Sequence, residues 1–171
     1  MTGGAALTEL DHAGLQQLRA AVAAVRSLFG AAACAVALVD EAGERLEFVA
    51  ADGAGAEAIV GTHLAVGRGI VGWVATSGQP IAVAEVESDA RFARDVAEAT
   101  AYIPSVILAA PLPGAGDEVF GVMELLDPTR TDEAALGNLR GSVAELAVLT
   151  TVASVAAAVV AAGRGPAGRG V

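Results

Sequence analysis

Leu15, Leu18, Val22, Val25 and Phe29 recur at spacings of 3, 4, 3 and 4 residues, which places them on one stripe of a helix. The pattern predicts a helix from about residue 7 to Phe29, stopped by Gly30 and burying one face. Two β-type runs follow, residues 34–40 and 45–52, and the Glu41, Ala42, Gly43 and Glu44 between them suit a hairpin loop. Alternation in the second run puts Leu46, Phe48 and Ala50 on one face and Arg45, Glu47 and Val49 on the other.

The first run, ACAVALV, is apolar on both faces, and so are SVILAAPL (105–112) and VFGVMELL (119–126). Strands of this kind belong in the middle of a sheet covered on two sides, so three of them predict a layered sandwich. Between them lie a helix-like stretch at 70–76, with Trp73 expected to plug the core beneath it, and a short strand at 80–84. A polar segment, 85–100, comes next, with Ser88 as a candidate helix cap ahead of Asp89, Arg91 and Phe92.

The last element is a long helix entered through Thr131, Asp132 and Glu133 and running to about residue 162. Leu136, Leu139, Val143, Leu146, Thr150, Ala153, Ala157 and Val160 form one stripe, and Leu149, Val152, Val155 and Val159 form a second beside it. A helix with two apolar faces packs one on its own sheet and offers the other to a partner chain. Val148, Val152, Val155 and Val159 are therefore the candidate dimer interface. Residues 146–162 carry no charge, but these 17 residues are rich in Ala, Thr and Ser and lack flanking Trp or Tyr, which argues against a membrane span. The closing GRGPAGRGV reads as a flexible tail.

Composition narrows the functional classes. The 171 residues make one domain, and 54% hydrophobic with only 18% charged residues is a globular composition. The net charge is −10, and the ten basic residues are all arginines, scattered singly. Nucleic acid and anionic membrane surfaces are disfavoured, because both need clustered cations. A single cysteine, Cys34, excludes an intrachain disulfide and a multi-cysteine zinc site. The opening MTGGAALTELDH has acids where a secretory signal has basic residues, so a cytoplasmic location is expected.

Four stretches, in order and spacing, resemble the GAF domain family, the ligand-sensing modules of signalling proteins. They are LAVGRGIVGWVATSGQPIAVAEV (64–86), SDARF (88–92), SVILAAPL (105–112) and VFGVMELLD (119–127). The resemblance implies an α/β (α+β) three-layer sandwich. Its antiparallel sheet of five or six strands would carry the terminal helices on one face and a ligand-pocket cover on the other. Residues 15–162 would be the domain, 1–14 its lead-in and helix start, and 163–171 the tail. Gly67, Gly69 and Gly72 around Arg68 read as a tight turn with close helix packing. As a phosphate cradle the turn lacks a following Lys-Ser/Thr and a strand immediately before it. Gly121, inside a central strand, likewise reads as close backbone approach.

The resemblance further implies a pocket between the open sheet face and the covering segment, with Phe92, Val96, Tyr102, Ser105 and Glu124 as its candidate lining. That lining would be an apolar wall with one hydroxyl pair and one acid. Glu124 stands between Met123 and Leu125 in a doubly apolar strand and is expected to be partly buried, paired with a ligand amine or with an arginine of the protein, or facing a wet pocket. Relatives that attach a bilin use a cysteine of the covering segment, and here that segment has none. Free methionine sulfoxide reductases of the family use a set of cysteines, whereas Cys34 reads as an inert core residue. ATAYIPSVILAAPL and GTHLAVGRGI resemble segments of haem-binding sensor kinases, but Ile103 stands where those carry the iron-ligating histidine. His63 and His12 read as surface residues. Cyclic nucleotide binding in the family goes with an Asn-Lys pair, and this chain has no lysine; Phe92 and Asp95 are only a partial echo of the accompanying signature. Arg91, Arg94, Asp95 and Glu98 read as a solvated helix face.

No metal set and no nucleophile–base pair emerges. The expectation is a non-enzymatic, homodimeric sensory or regulatory module that binds an unknown small ligand and acts on a separate effector protein. Haem, bilin and cyclic nucleotide are disfavoured. A degenerate domain serving only as a dimerisation scaffold is the alternative.

Overall fold

A computed structural model describes residues 10–129 and 143–163. Helix α1 (His12–Phe29) starts after Asp11, whose carboxylate accepts from the Gly14 N–H at 2.7 Å, and ends at Gly30 in the left-handed conformation. Asp11 satisfies a backbone donor that the helix itself leaves unpaired, so the helix begins there and not near residue 7. Leu18, Val22, Val25 and Phe29 are buried, as their spacing predicts.

Strands β1 (Ala33–Val39) and β2 (Arg45–Gly53) form the hairpin. Its loop is held by Asp40, whose carboxylate accepts from the Glu44 N–H at 2.8 Å and the Arg45 N–H at 3.2 Å. Next come α2 (Ala56–Ile59), β3 (His63–Ala65), α3 (Gly69–Ser77) and β4 (Ile81–Ala84). A 3-10 turn (Val86–Ser88), α4 (Arg94–Ala99), β5 (Val106–Pro113), β6 (Val119–Leu126) and α5 (Val143–Gly163) complete the described chain. The sheet runs β3-β2-β1-β6-β5-β4 with every neighbour antiparallel. The three doubly apolar runs, β1, β6 and β5, all lie inside it. Helices α1 and α5 cover one face over Leu38, Leu108 and Met123, while α3 and the segment after β4 cover the other over Phe48, Ile107 and Val122.

The alternation expected for β2 breaks at a bulge. Val36 pairs with Ala50 but Ala37 pairs with Phe48, leaving Val49 as the extra residue. Leu46 and Phe48 therefore face one layer, and Ala50 packs with Val49 in the other. Gly121 makes the close approach its position suggested: a Cβ there would lie 2.7 Å from the Ala37 carbonyl oxygen and 2.9 Å from Leu112 Cδ1.

Three local expectations change. Trp73 is half-buried on the flank of α3, whose inward face is Ile70, Val71 and Val74, and the Arg91 guanidinium lies 4.9 Å from its ring centre. Ser88 ends the 3-10 turn and caps nothing. Asp89 organises the next turn instead, accepting from the Arg91 N–H at 2.9 Å and from its guanidinium, and the Arg91 contact holds the Asp89 carboxyl down to about 2. Helix α4 then starts six residues beyond Ser88, at Arg94.

On α5 the buried side chains are Leu149, Ala153, Ala156, Ala157 and Val160, so the inward stripe draws on both stripes read from the sequence. Val152 is half-buried against the same core, whereas Val148 and Val155 are 45% and 62% exposed. The lead-in 1–9, the entry at Thr131, Asp132 and Glu133, Leu136, Leu139, the side chains of Val143 and Val159, and the tail 164–171 lie outside the described residues. Among the described residues no helix is long and apolar enough to cross a membrane.

Candidate functional site

The sheet face opposite α1 and α5 is not fully covered, and a cavity of about 80 Å³ remains there. Its floor comes from the strands, through Ala35, Phe48, Ile107 and Glu124. Ile70 at the start of α3 closes one side, and Phe92, Val96, Ala97, Thr100 and Tyr102 of the covering segment form the roof. Four of the five expected lining residues, Phe92, Val96, Tyr102 and Glu124, thus meet at one space.

Ser105 does not join them. It has the strand parity of Ile107 but precedes β5, and it is exposed. Its N–H and that of Val106 donate to the same oxygen of Asp127, at 2.9 and 2.8 Å. The expected hydroxyl pair is therefore absent. The Tyr102 hydroxyl donates to the other Asp127 oxygen, and burial together with that carboxylate pushes the phenol up to about 12.

Asp127 is the residue that sequence reasoning missed. It sits just past β6 at φ 47°, a left-handed conformation that Asp tolerates better than most residues. From there one side chain fastens the end of the cover to the end of the sheet. The available signal was weak: an aspartate between an apolar strand and Pro128. Glu85 and Ala101 also adopt positive φ, at 54° and 55°, so the backbone turns sharply at both ends of the cover.

Glu124 supplies the cavity's carboxyl. Its cross-strand neighbours are Ala35 on β1 and Ala109 on β5. Burial pushes its carboxyl up to about 7. Cys34 is fully buried in β1, and its thiol is raised far above the usual range, by burial first and then by Glu124 and Asp52, with Arg26 opposing. Such a thiol is unreactive.

Among the described residues no histidine and no arginine lines the cavity. His63 is on the edge strand β3, 3.5 Å from Glu47, and His12 is exposed at the start of α1. Ile103 is 42% exposed. Arg68, Arg91 and Arg94 pair with Asp95, Asp89 and Glu87 on the outside of the cover. The glycine-rich turn packs on itself: the Gly67 N–H donates to the Gly72 carbonyl at 3.1 Å, and a Cβ on Gly72 would lie 2.9 Å from the Gly67 nitrogen. That closure uses a donor a phosphate cradle would need. Among the described residues no group of three His, Cys, Asp or Glu could hold a metal ion.

No curated protein sequence matches the chain. Solved structures do. A GAF domain from a phosphoenolpyruvate-protein phosphotransferase of Coxiella burnetii is 20% identical with a TM-score of 0.70, over 88% of this chain and 84% of that one. The second GAF domain of DevS from Mycobacterium smegmatis is 20% identical with a TM-score of 0.65, over 87% and 94%. The free methionine-R-sulfoxide reductase of Neisseria meningitidis, solved with its substrate, is 19% identical with a TM-score of 0.67, over 91% and 81%. At these identities the likeness is one of fold. The GAF domain family matches residues 15–160, which span both layers and every wall of the cavity, and the chain belongs to that family of sensory and regulatory domains of signalling proteins.

Proposed function

We propose that this chain is a non-enzymatic sensory module of signal transduction that binds a small molecule in the cavity under residues 85–104 and works as a homodimer through α5. The carrying observation is the roofed apolar cavity with one carboxyl, whose cover is fastened at Asp127. A ligand that prefers one position of the cover would bias the packing of sheet and helices, and a separate effector protein would read that change. The non-enzymatic reading draws on Cys34, a lone buried thiol held in its protonated form, which cannot provide the thiolate and second sulfur of a reductase. Ile103 and the position of His63, the lack of a cysteine in the covering segment, and the absence of lysine support a site without haem, bilin or cyclic nucleotide respectively. The net charge of −10, with its arginines scattered singly, fits a cytoplasmic protein without nucleic-acid or anionic-membrane partners.

Native mass spectrometry of freshly purified protein, compared with its denatured mass, is expected to reveal an added small molecule that is lost on denaturation. A bare mass, with no thermal shift from any neutral or cationic compound, would favour the dimer scaffold. The modest volume of about 80 Å³ is the observation on that reading's side. Light scattering is expected to give twice the 16.8 kDa of the monomer. Val155→Asp should shift the protein toward monomer with little change in monomer stability, since Val155 is exposed within one chain. A wild-type monomer at micromolar concentration would sink the dimer.

A further inference from the structure

Glu124 is an acid without a counterpart. Among the described residues no hydrogen bond or ion pair engages its side chain, although it stands on the floor of the cavity in the middle of the sheet. On its face of the sheet the flanking positions are Ala35, Ala109, Val122 and Leu126, none of which can donate a proton. Glu124 is half-buried, open only toward the cavity, and a carboxyl so far withdrawn from water is seldom left without a partner in native chains.

Among the described residues no cation lines the cavity to offset it. Arg26, Arg68, Arg91 and Arg94 each have their own acid: Asp52, Asp95, Asp89 and Glu87 respectively. Glu124 is therefore the one charged side chain among the described residues that line the cavity. Tyr102 already donates its proton to Asp127, and Thr100 to the Ala97 carbonyl at 2.9 Å. The remaining walls are alkyl and aromatic. An anion would meet Glu124 with nothing to balance it, and a neutral hydrocarbon would leave the carboxyl unpaired.

Resting on the ligand-binding reading above, we infer that the cavity takes a small apolar amine, its ammonium group donating to the Glu124 carboxylate while its alkyl part lies against Phe48, Phe92 and Val96. The volume, about half that of an engineered apolar cavity of roughly 150 Å³ that takes benzene, limits the alkyl part to a few carbons. The titratable groups that face Glu124 are few. Cys34 of β1 stays protonated across the physiological range, and Tyr102 of the cover does likewise. Strand β5 presents Ala109 and Ile107, and α3 and α4 present Ile70, Val71, Val96 and Ala97. The pH dependence of amine binding therefore reports on Glu124: a cation selects the carboxylate, so affinity falls about tenfold for each unit below its raised pKa.

Isothermal titration with 2-methylpropylamine, 2-methylpropanol, 3-methylbutan-2-one and 2-methylpropanoate at pH 5.5, 6.5 and 8.0 tests this. The amine is expected to bind, about tenfold more weakly at pH 5.5 than at 6.5, with the loss levelling off toward pH 8.0. Glu124→Gln, which conserves volume, should weaken the amine at least tenfold at pH 8.0 and remove the pH dependence. Ala35→Leu should abolish binding by filling the space beside an intact carboxyl. The alcohol, ketone and carboxylate should not compete. If instead the ketone or alcohol binds more tightly at pH 5.5 than at 8.0, and loses that preference in Glu124→Gln, Glu124 acts as a neutral donor; the amine inference then fails while the cavity remains a ligand site. Amine binding unchanged in Glu124→Gln also overturns the inference. No binding by any probe overturns it together with the ligand reading itself.

Discussion

Replacing Asp127 by alanine is expected to destabilise the protein by about 3 kcal/mol and to loosen the cover before anything else. Three donors converge on this carboxylate, the Tyr102 hydroxyl and the N–H groups of Ser105 and Val106. Hydrogen bonds to a charged acceptor are worth roughly 1.5–3 kcal/mol each, and water reaching this partly exposed site recovers part of the loss. Alanine also tolerates the left-handed backbone at position 127 less well, adding up to about 1 kcal/mol. For a chain of this length the change corresponds to a fall in Tm of about 6–12 °C. Asp127→Asn, which keeps one acceptor oxygen and the tolerance for positive φ, should cost about half as much. Hydrogen exchange should locate the opening, with amides of residues 86–106 losing protection ahead of those in β1 and β6. A Tm within a degree of wild type would mean that the cover is held elsewhere.

The second large effect is on pH. A carboxyl whose folded value is raised to about 7 binds its proton more tightly in the native chain than in the unfolded one. The contribution of Glu124 to stability is therefore greatest below the ordinary carboxyl range, declines as pH rises through the interval up to about 7, and is flat beyond it. The full decline is on the order of 3 kcal/mol, since each pKa unit is worth about 1.4. Asp89, Asp95 and Asp40 are shifted the opposite way and act at lower pH, so they do not mask this interval. Thermal melts of the wild type should show Tm falling between pH 5 and 8, while Glu124→Gln stays level and exceeds the wild type at pH 8. A wild-type Tm that rises or stays constant over that range would place Glu124 in contact with a cation or with bulk water.

Much of the architecture was legible because its signals are local and repeated. A strand apolar on both faces has to lie between two layers, and β1, β5 and β6 do. Helix α1 shows its stripe of five residues over about four turns, and a glutamate inside VFGVMELL reads as a partly buried acid on a sheet face, as Glu124 is. The short pieces were another matter. Helix α2 and strand β3 span four and three residues, too few to display a period. The bulge at Val49 arises from the register of β2 against β1, so the alternation of β2 read alone gives Ala50 the wrong face.

The same division runs through the site. The order of apolar runs, the chemistry of Glu124 and the single inert thiol were determined by the sequence, because each follows from a residue's own character and its nearest neighbours. The anchoring of the cover, the departure of Ser105 from the cavity and the split of α5 into buried Leu149 and exposed Val155 were decided only by tertiary structure. Asp127 reaches donors 21 to 25 residues away, and such a meeting exists only once the strands have brought the two ends together. Likewise, both apolar stripes of α5 look equally fit for burial until the sheet and α1 select a face that takes Leu149 from one and Ala153, Ala157 and Val160 from the other.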